Sequence, residues 1–331
     1  MNSREAKQAV ADAGRELLRE RLVARTWGNV SCRTGDQSFV ITPSGLAYEG
    51  MTADDVVEYD MASGQWTGTR KPSSEKGIHA AAYARFPDAG FVIHTHQTYA
   101  SALGLAGFDP QRLTTEEREA LGGAALSAYG LPGTKRLCGN VSAALASGAH
   151  TVLMVQHGAL VVGRDKQEAF ERAKRLEQIC RAACRGQPDE DLGGDTTALA
   201  ALAERMKEHF PHVGFTAAPV VRETSRRVDS FRAQLDDMAQ MIGPKLFAAA
   251  GEPEAVERAL KRRPAVLVRG QGAICRAETL EDCEALKLLT EKACTAFLQT
   301  RELGVPVSLS AADALLMRVV YQQKYSKKMR G

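Results

Sequence analysis

Phe91-Val92-Ile93-His94-Thr95-His96 is a short, unbroken apolar run, rich in β-branched side chains, that ends in two histidines one residue apart. Such a run reads as a buried strand, and a helix follows it through Leu105. In a strand, residues i and i+2 project to the same face, so both imidazoles can approach one ion. Taken alone, the pair serves equally well as one capping and one packed imidazole, and its spacing leaves both readings open. Thr151 to Val162 forms a second buried strand with its return and carries His157, in Val155-Gln156-His157-Gly158, as a possible third nitrogen. Three neutral imidazoles with an open fourth position are the arrangement of catalytic rather than structural zinc.

Working outward from that strand, residues 4–23 place Ala9, Val10, Ala13, Leu17, Leu18 and Leu22 at helical spacing, which predicts an amphipathic helix. From Thr26 to Trp66 short apolar runs alternate with Gly, Pro, Asn and Asp, as strands and turns require. Ser73-Ser74-Glu75 opens a helix to about Arg85, and Gln167 to Arg185 is a long helix. The breaker-rich stretch after Arg185 gives a division into residues 1–185, a linker at 186–196 and a second part at 197–331.

The second part carries a partial echo of the first. A shift of 114 positions sets Val152-Leu153 on Val266-Leu267, Gly158-Ala159 on Gly272-Ala273, Glu177 on Glu291, Cys180 on Cys294 and Ala182 on Ala296. The same shift sets His157 on Gln271. Either a degenerate repeat or two strand–helix units alike in composition would give this pattern.

Three polar loops precede the paired histidines: Thr26-Trp27-Gly28-Asn29-Val30-Ser31, Thr42-Pro43-Ser44-Gly45 and Lys71-Pro72-Ser73-Ser74-Glu75. Each offers backbone N–H groups beside hydroxyl or amide side chains, chemistry that suits a phosphate as well as an ordinary turn or cap. Glu75 reads either as a general base near a dication or as a helix-start glutamate favoured by the dipole. His79, inside that helix, reads as a packed or capping side chain; His150, His209 and His212 read as surface groups.

Composition narrows the class. The 331 residues are 44% apolar and 25% charged, values of a globular protein. Lys+Arg 43 against Asp+Glu 40 leaves +3, too balanced for a chain whose main work is neutralising nucleic acid. The only dense basic run, Lys324 to Arg330, reads as a solvated terminus. No run approaches the roughly 20 apolar residues of a spanning helix, so neither a membrane nor a nucleic-acid partner is expected. Seven cysteines without a CxxC pair, and an N-terminus without an apolar leader, lead to the expectation of reduced thiols in a cytoplasmic protein.

Taken in order, Thr-x-Gly-Asn-x-Ser, Thr-Pro-Ser-Gly, Ser-Ser-Glu, His-x-His and Gln-His-Gly over residues 26–158 resemble the class II aldolase/adducin family. Its catalytic members include fuculose-phosphate and rhamnulose-phosphate aldolases and ribulose-phosphate 4-epimerase. The resemblance implies an α/β fold of three α/β/α layers around a central mixed, largely antiparallel sheet, here with a C-terminal partial copy expected to be structural. It implies a divalent metal, usually Zn2+, on His94, His96 and His157. By the same resemblance Gly28, Asn29, Ser44, Gly45, Ser73 and Ser74 match the phosphate-binding loops and Glu75 the catalytic glutamate. Tyr129, in Ala128-Tyr129-Gly130-Leu131-Pro132-Gly133, matches a tyrosine that reaches a neighbouring subunit's site as proton donor. A homo-oligomer acting on a small sugar phosphate is therefore expected.

The activity so implied is that of a lyase: an aldolase cleaving or forming a carbon–carbon bond in a ketose phosphate through a metal-stabilised enediolate. The 4-epimerase is expected to carry an aspartate where Glu75 stands, so the glutamate favours the aldolase. The alternatives on the same scaffold are a sugar-phosphate 4-epimerase and a methylthioribulose-phosphate-type dehydratase. A non-catalytic adducin-like interaction protein is the remaining one, disfavoured because all three histidines and Glu75 are present.

Overall fold

The structure, a computed structural model, describes residues 2–188, 195–305 and 307–324. It divides into two compact units, Met1–Ala183 and Cys184–Gly331. Much of the expected linker, residues 189–194, lies outside the described residues, as does all of the basic C-terminal run except Lys324.

The first unit begins with α1 (Ser3–Arg19), whose start is closed by a capping box between Asn2 and Glu5. A meander follows: β1 (Asn29–Gly35), β2 (Ser38–Ile41), β3 (Val57–Asp60) and β4 (Trp66–Thr67). Then come α2 (Lys76–Arg85), β5 (Phe91–Thr95), α3 (Thr98–Leu105), α4 (Thr115–Ala120), β6 (Ala124–Ser127), α5 (Lys135–Leu145), β7 (Thr151–Met154), β8 (Gly158–Gly163) and α6 (Lys166–Ala183). The sheet order is β4-β3-β2-β1-β5-β8-β7-β6, antiparallel throughout except for the parallel pair β6–β7.

Period-two alternation sends the two faces of this sheet to different cores. Phe91 and Ile93 of β5, with Val30, Cys32 and Val161, pack against α1 and α6. Val92, with Leu160, Val162, Phe39 and Ile41, packs against α2 and α5. Each such side chain contributes about 1.5–3 kcal/mol on burial, so both faces are strongly committed and the register of β5 is fixed. His94 shares the parity of Val92. It is therefore delivered to the α2 face, where Glu75 stands.

The second unit contains α7 (Thr197–Met206), β9 (His212–Thr216), α8 (Pro219–Arg227), β10 (Ser230–Arg232), β11 (Lys245–Ala249), α9 (Pro253–Arg262), β12 (Ala265–Val268), β13 (Gly272–Ala277), α10 (Leu280–Glu302) and α11 (Ala311–Lys324). Its sheet runs β10-β11-β12-β13-β9, with β11–β12 as the parallel pair. Leu199, Leu202 and Met206 of α7 and Val256 and Leu260 of α9 cover one face, and α10 lies against β13 and β9.

Among the described residues the order α7-β9-α8-β11-α9-β12-β13-α10 follows α2-β5-α3-β6-α5-β7-β8-α6, while α4 on one side and β10 and α11 on the other have no counterpart. A shift of 121 carries both ends of α2 onto α7 (76 to 197, 85 to 206) and β5 onto β9 (91 to 212, 95 to 216). The shift of 114 carries β7 onto β12, β8 onto β13 and the start of α6 onto that of α10. The parallel pair recurs as well, β6–β7 in one unit and β11–β12 in the other. Nothing among the described residues repeats α1 or the β1–β4 meander in sequence order.

Among the described residues no helix is long and apolar enough to cross a membrane. The seven cysteines form no disulfide there, and burial pushes the thiols of Cys275 and Cys294 up to about 12.

Candidate metal centre and active site

His94 lies at the end of β5, and His96 just beyond it keeps the same parity. His157 is held by the three-residue turn between β7 and β8, in which Gln156 takes a left-handed conformation (φ 63°) and the His157 amide donates to the Met154 carbonyl at 3.1 Å. Gly158 follows because nothing larger fits: a Cβ there would stand 2.1 Å from the Thr95 carbonyl oxygen. Strand pairing of β5 with β8 then closes the group.

Nε2 of His94 stands 3.0 Å from Nε2 of His96 and 3.1 Å from Nε2 of His157. The three rings are buried, and their candidate ligand atoms lie within 4.8 Å of one another. His94 Nδ1 donates to the Ala159 carbonyl at 2.9 Å, which fixes the ring and turns Nε2 toward the other two imidazoles. An ion about 2.0–2.1 Å from each nitrogen in tetrahedral geometry would separate them by about 3.3 Å. The spacing found fits a divalent cation of that kind.

Glu75 faces this group from the N-terminus of α2. Its Oε2 lies 3.2 Å from His94 Nε2, and its Oε1 lies 3.1 Å from His157 Nε2. Despite that approach, buried Oε1 makes no hydrogen bond. A buried oxygen with no hydrogen bond, beside three convergent nitrogens, is one that a cation or a substrate hydroxyl would satisfy. Burial by itself would raise the Glu75 carboxyl. The imidazoles of His94 and His157 outweigh it and hold the group well below the usual carboxylate range.

Oε2 is held differently. Asn29 Nδ2 donates to it at 3.0 Å, and Asn29 Oδ1 lies 2.5 Å from His79 Nε2. Asn29 stands directly opposite His94 in the β1–β5 ladder, which puts both on the same face. From sequence His79 is expected to be packed or capping and Ser31 to belong to a polar loop suited to a phosphate, with nothing expected of Tyr83. The structure buries all three in one network with Glu75. The signal was there: 75, 79 and 83 recur at i, i+4 and i+8 on a helix, and 29 and 31 at i and i+2 on a strand.

The three polar loops meet at one end of β1, β2 and α2. Ser44 donates its amide to the Lys71 carbonyl at 3.0 Å and Ser73 its amide to the Thr42 carbonyl at 3.1 Å, zipping the second loop to the third. Ser73 is buried and its Oγ accepts from the Glu75 amide at 3.2 Å; Ser74 is exposed, and Ser44 and Gly45 are half-buried. Gly28 (φ 86°) has its carbonyl held by Tyr48 Oη at 2.7 Å, and a Cβ on it would stand 2.5 Å from the His94 carbonyl oxygen. Tyr129 is half-buried on the loop between β6 and α5, which approaches Ser74 at Gly133.

Residues 8–184 match the class II aldolase and adducin N-terminal domain. The chain belongs to this family. Among curated relatives of this class II aldolase/adducin protein, L-ribulose-5-phosphate 4-epimerase UlaF of Salmonella paratyphi B is 37% identical over 189 residues, covering 54% of this chain and 83% of the relative. Among solved structures, L-fuculose 1-phosphate aldolase superposes with a TM-score of 0.51 and 28% identity, over 61% of this chain and 96% of that one. YgbL from Klebsiella pneumoniae gives a TM-score of 0.51 at 25% identity, over 55% of this chain and 89% of that one. These neighbours share the α/β architecture of flanked mixed sheets, in agreement with the fold expected from sequence.

The lyase expectation is overturned. The named relative at 37% identity is an epimerase, an isomerase that returns the carbon skeleton intact. The physical reason lies in the chemistry. Opening a C3–C4 bond is common to release of an aldehyde and to its re-addition on the other face. A glutamate at position 75 in place of an aspartate therefore does not decide between the two outcomes.

Proposed function

We propose that this protein is a metal-dependent sugar-phosphate 4-epimerase of the cytoplasm, acting as a homo-oligomer on a ketose phosphate such as L-ribulose 5-phosphate. What carries the reading is the 37% identity to a 4-epimerase over 189 residues, with all three histidines and Glu75 lying inside the family domain at residues 8–184.

The hydrogen on C4 of a 2-ketose is not acidified by the C2 carbonyl, since two bonds separate the carbons. Inversion there proceeds by opening C3–C4. The C4 hydroxyl gives up its proton, its oxygen becomes an aldehyde oxygen, and the bonding pair moves through C3 toward the carbonyl. The aldehyde turns its other face, the pair returns to C4, and the proton comes back.

His94, His96 and His157 would hold a divalent cation, with Zn2+ the best match to three imidazoles. When bound, it supplies positive charge to the carbonyl and neighbouring hydroxyl oxygens as electrons arrive there. Glu75, ionised and with Oε1 unpartnered, is the group that accepts and returns a proton within the pocket. Inversion carries the C4 oxygen to the opposite face, so a second proton carrier is required; Tyr129 of a neighbouring subunit is proposed for it. Gly28, Ser44, Gly45, Ser73 and Ser74 would anchor the phosphate with loop amides and hydroxyls at the positive end of α2. Asn29, matched to the same loops, turns its carboxamide to Glu75 and His79.

The C-terminal unit is proposed to be structural. At the positions of His94, His96, His157 and Glu75 it carries Phe215, Ala217, Gln271 and Thr196, so one metal ion per chain is expected. The decisive experiment supplies the Zn2+-loaded protein with L-ribulose 5-phosphate and follows products by NMR. The expected result is D-xylulose 5-phosphate, the C4 epimer. Stoichiometric release of free aldehyde and a three-carbon ketone, or loss of water, overturns the reading.

A further inference from the structure

We propose that His79 is a positioning residue for Glu75: with Asn29, Ser31 and Tyr83 it forms a buried, one-directional hydrogen-bond chain that immobilises Oε2 and leaves Oε1 to the substrate. The inference rests on Glu75 being the proton carrier.

The chain can be walked atom by atom. Asn29 turns Nδ2 toward Glu75 and donates to Oε2 at 3.0 Å. That leaves Asn29 Oδ1, an acceptor, facing His79 Nε2 at 2.5 Å, so His79 carries its proton on Nε2. Burial pulls the His79 imidazolium down to about 3, so the ring is neutral and its Nδ1, which faces the Ser31 hydroxyl, accepts. Ser31 Oγ, 2.6 Å from Nδ1, donates to it. Ser31 Oγ is then left to accept from the Tyr83 hydroxyl at 2.9 Å. Every donor points toward Glu75, and each assignment is forced by the one before it.

The scaffold of the chain is rigid. Asn29, Ser31, His79 and Tyr83 are all at most 4% exposed. The Phe39 ring stacks over His79 with centroids 6.4 Å apart, and Arg33 lies over the Tyr83 ring at 4.7 Å. A neutral ring with one donor and one acceptor is the residue that joins an amide oxygen to a hydroxyl on opposite sides. The donor on His79 Nε2 keeps Asn29 from flipping and presenting its oxygen to the carboxylate, where two acceptors would repel.

Neutron diffraction on deuterated protein tests the chain without any turnover. Deuterium is expected on His79 Nε2 and on Ser31 Oγ toward Nδ1; deuterium on Nδ1 overturns the proposal. Kinetics supply the second test. His79→Leu is expected to lower kcat on the order of ten- to a hundredfold with KM within about threefold and metal content unchanged. His79→Gln, which keeps a donor and an acceptor, should recover most of that loss. In a Glu75→Gln background His79→Leu should cost less than about twofold more, because the group it positions is gone. Wild-type kcat in His79→Leu, or an undiminished further loss in the double variant, overturns the proposal. Full turnover in Glu75→Gln alone would instead remove the reading of Glu75, while the deuterium positions still decide the chain.

Discussion

The turn that presents His157 and the turn that presents Gln271 are one piece of structure occurring twice. In each, a left-handed residue precedes the presented side chain: Gln156 at φ 63° and Gly270 at φ 73°. In each, the next amide closes back on the preceding strand, His157 to Met154 at 3.1 Å and Gln271 to Val268 at 2.9 Å. The helices that face them start at equivalent places, with Glu75 and Thr196 as the capping residues. Yet among the described residues only the first copy gathers three imidazoles around a carboxylate at this turn. The backbone form therefore does not depend on the ligands. What holds it in each copy is apolar packing between sheet and helices, and the polar centre is an addition that the scaffold tolerates.

That comparison breaks most visibly at the metal. Chelation, or replacement of His94 and His96 by Ala, is expected to lower turnover by more than about a thousandfold while leaving the far-UV circular dichroism unchanged. Gln271→Ala should leave both turnover and metal content as they are. Elemental analysis should give one ion per chain; two ions would contradict the contrast between the copies.

Next comes the carboxylate. Glu75→Gln should retain metal and lose about 10²–10⁴ in kcat, whereas Thr196→Ala should alter neither. Steady-state kinetics on both variants decides this.

Matched core truncations probe the shared scaffold. Leu160 and Ile274 are equivalent at the 114-residue shift and both are fully buried. Each change to Ala should destabilise by about 2–5 kcal/mol, read from chemical denaturation. A large loss at one site and none at the other would show that the two copies are not held together in the same way.

His79 sharpens the contrast through pH, because its counterpart is Ala200. Its folded value of about 3 lies below the ordinary 6.5. Between these limits the unfolded chain binds a proton that the folded one refuses, so stability falls as pH falls, by about 1.4 kcal/mol per pH unit. His79→Gln should lose that slope in acid titrations of stability. Smallest is the effect of the turn itself: Gly270→Gln should lower stability by about 1 kcal/mol, since a side chain is strained at that φ.

Much of this was legible in the sequence because it is written in short-range spacing. The shared face of His94 on β5 and His96 just past its end, the opening of α2 at Glu75 and the order of the five motifs all survive translation into coordinates. The hydrogen-bond chain did not announce itself. His79 and Tyr83 share a helix face and Asn29 and Ser31 a strand face, but that the two faces meet is set by sheet order, which spacing does not encode. The outcome of bond cleavage was illegible for another reason: the same groups serve an aldehyde that leaves and one that turns over. The repeat was faint in residues and plain in elements, since seven identities at one shift register only the hairpin and helix, while the segments before them follow a different offset.

At Gly28 the loop lies so near the His94 carbonyl that not even a methyl group could be inserted, and Tyr48 clamps the Gly28 carbonyl. In the proposed reading this loop grips one end of the sugar and the strand grips the other. The gap between the two grips is then a fixed gauge, set by main chain against main chain, and substrates that differ by a carbon in length should be sorted by it before any stereochemistry is tested.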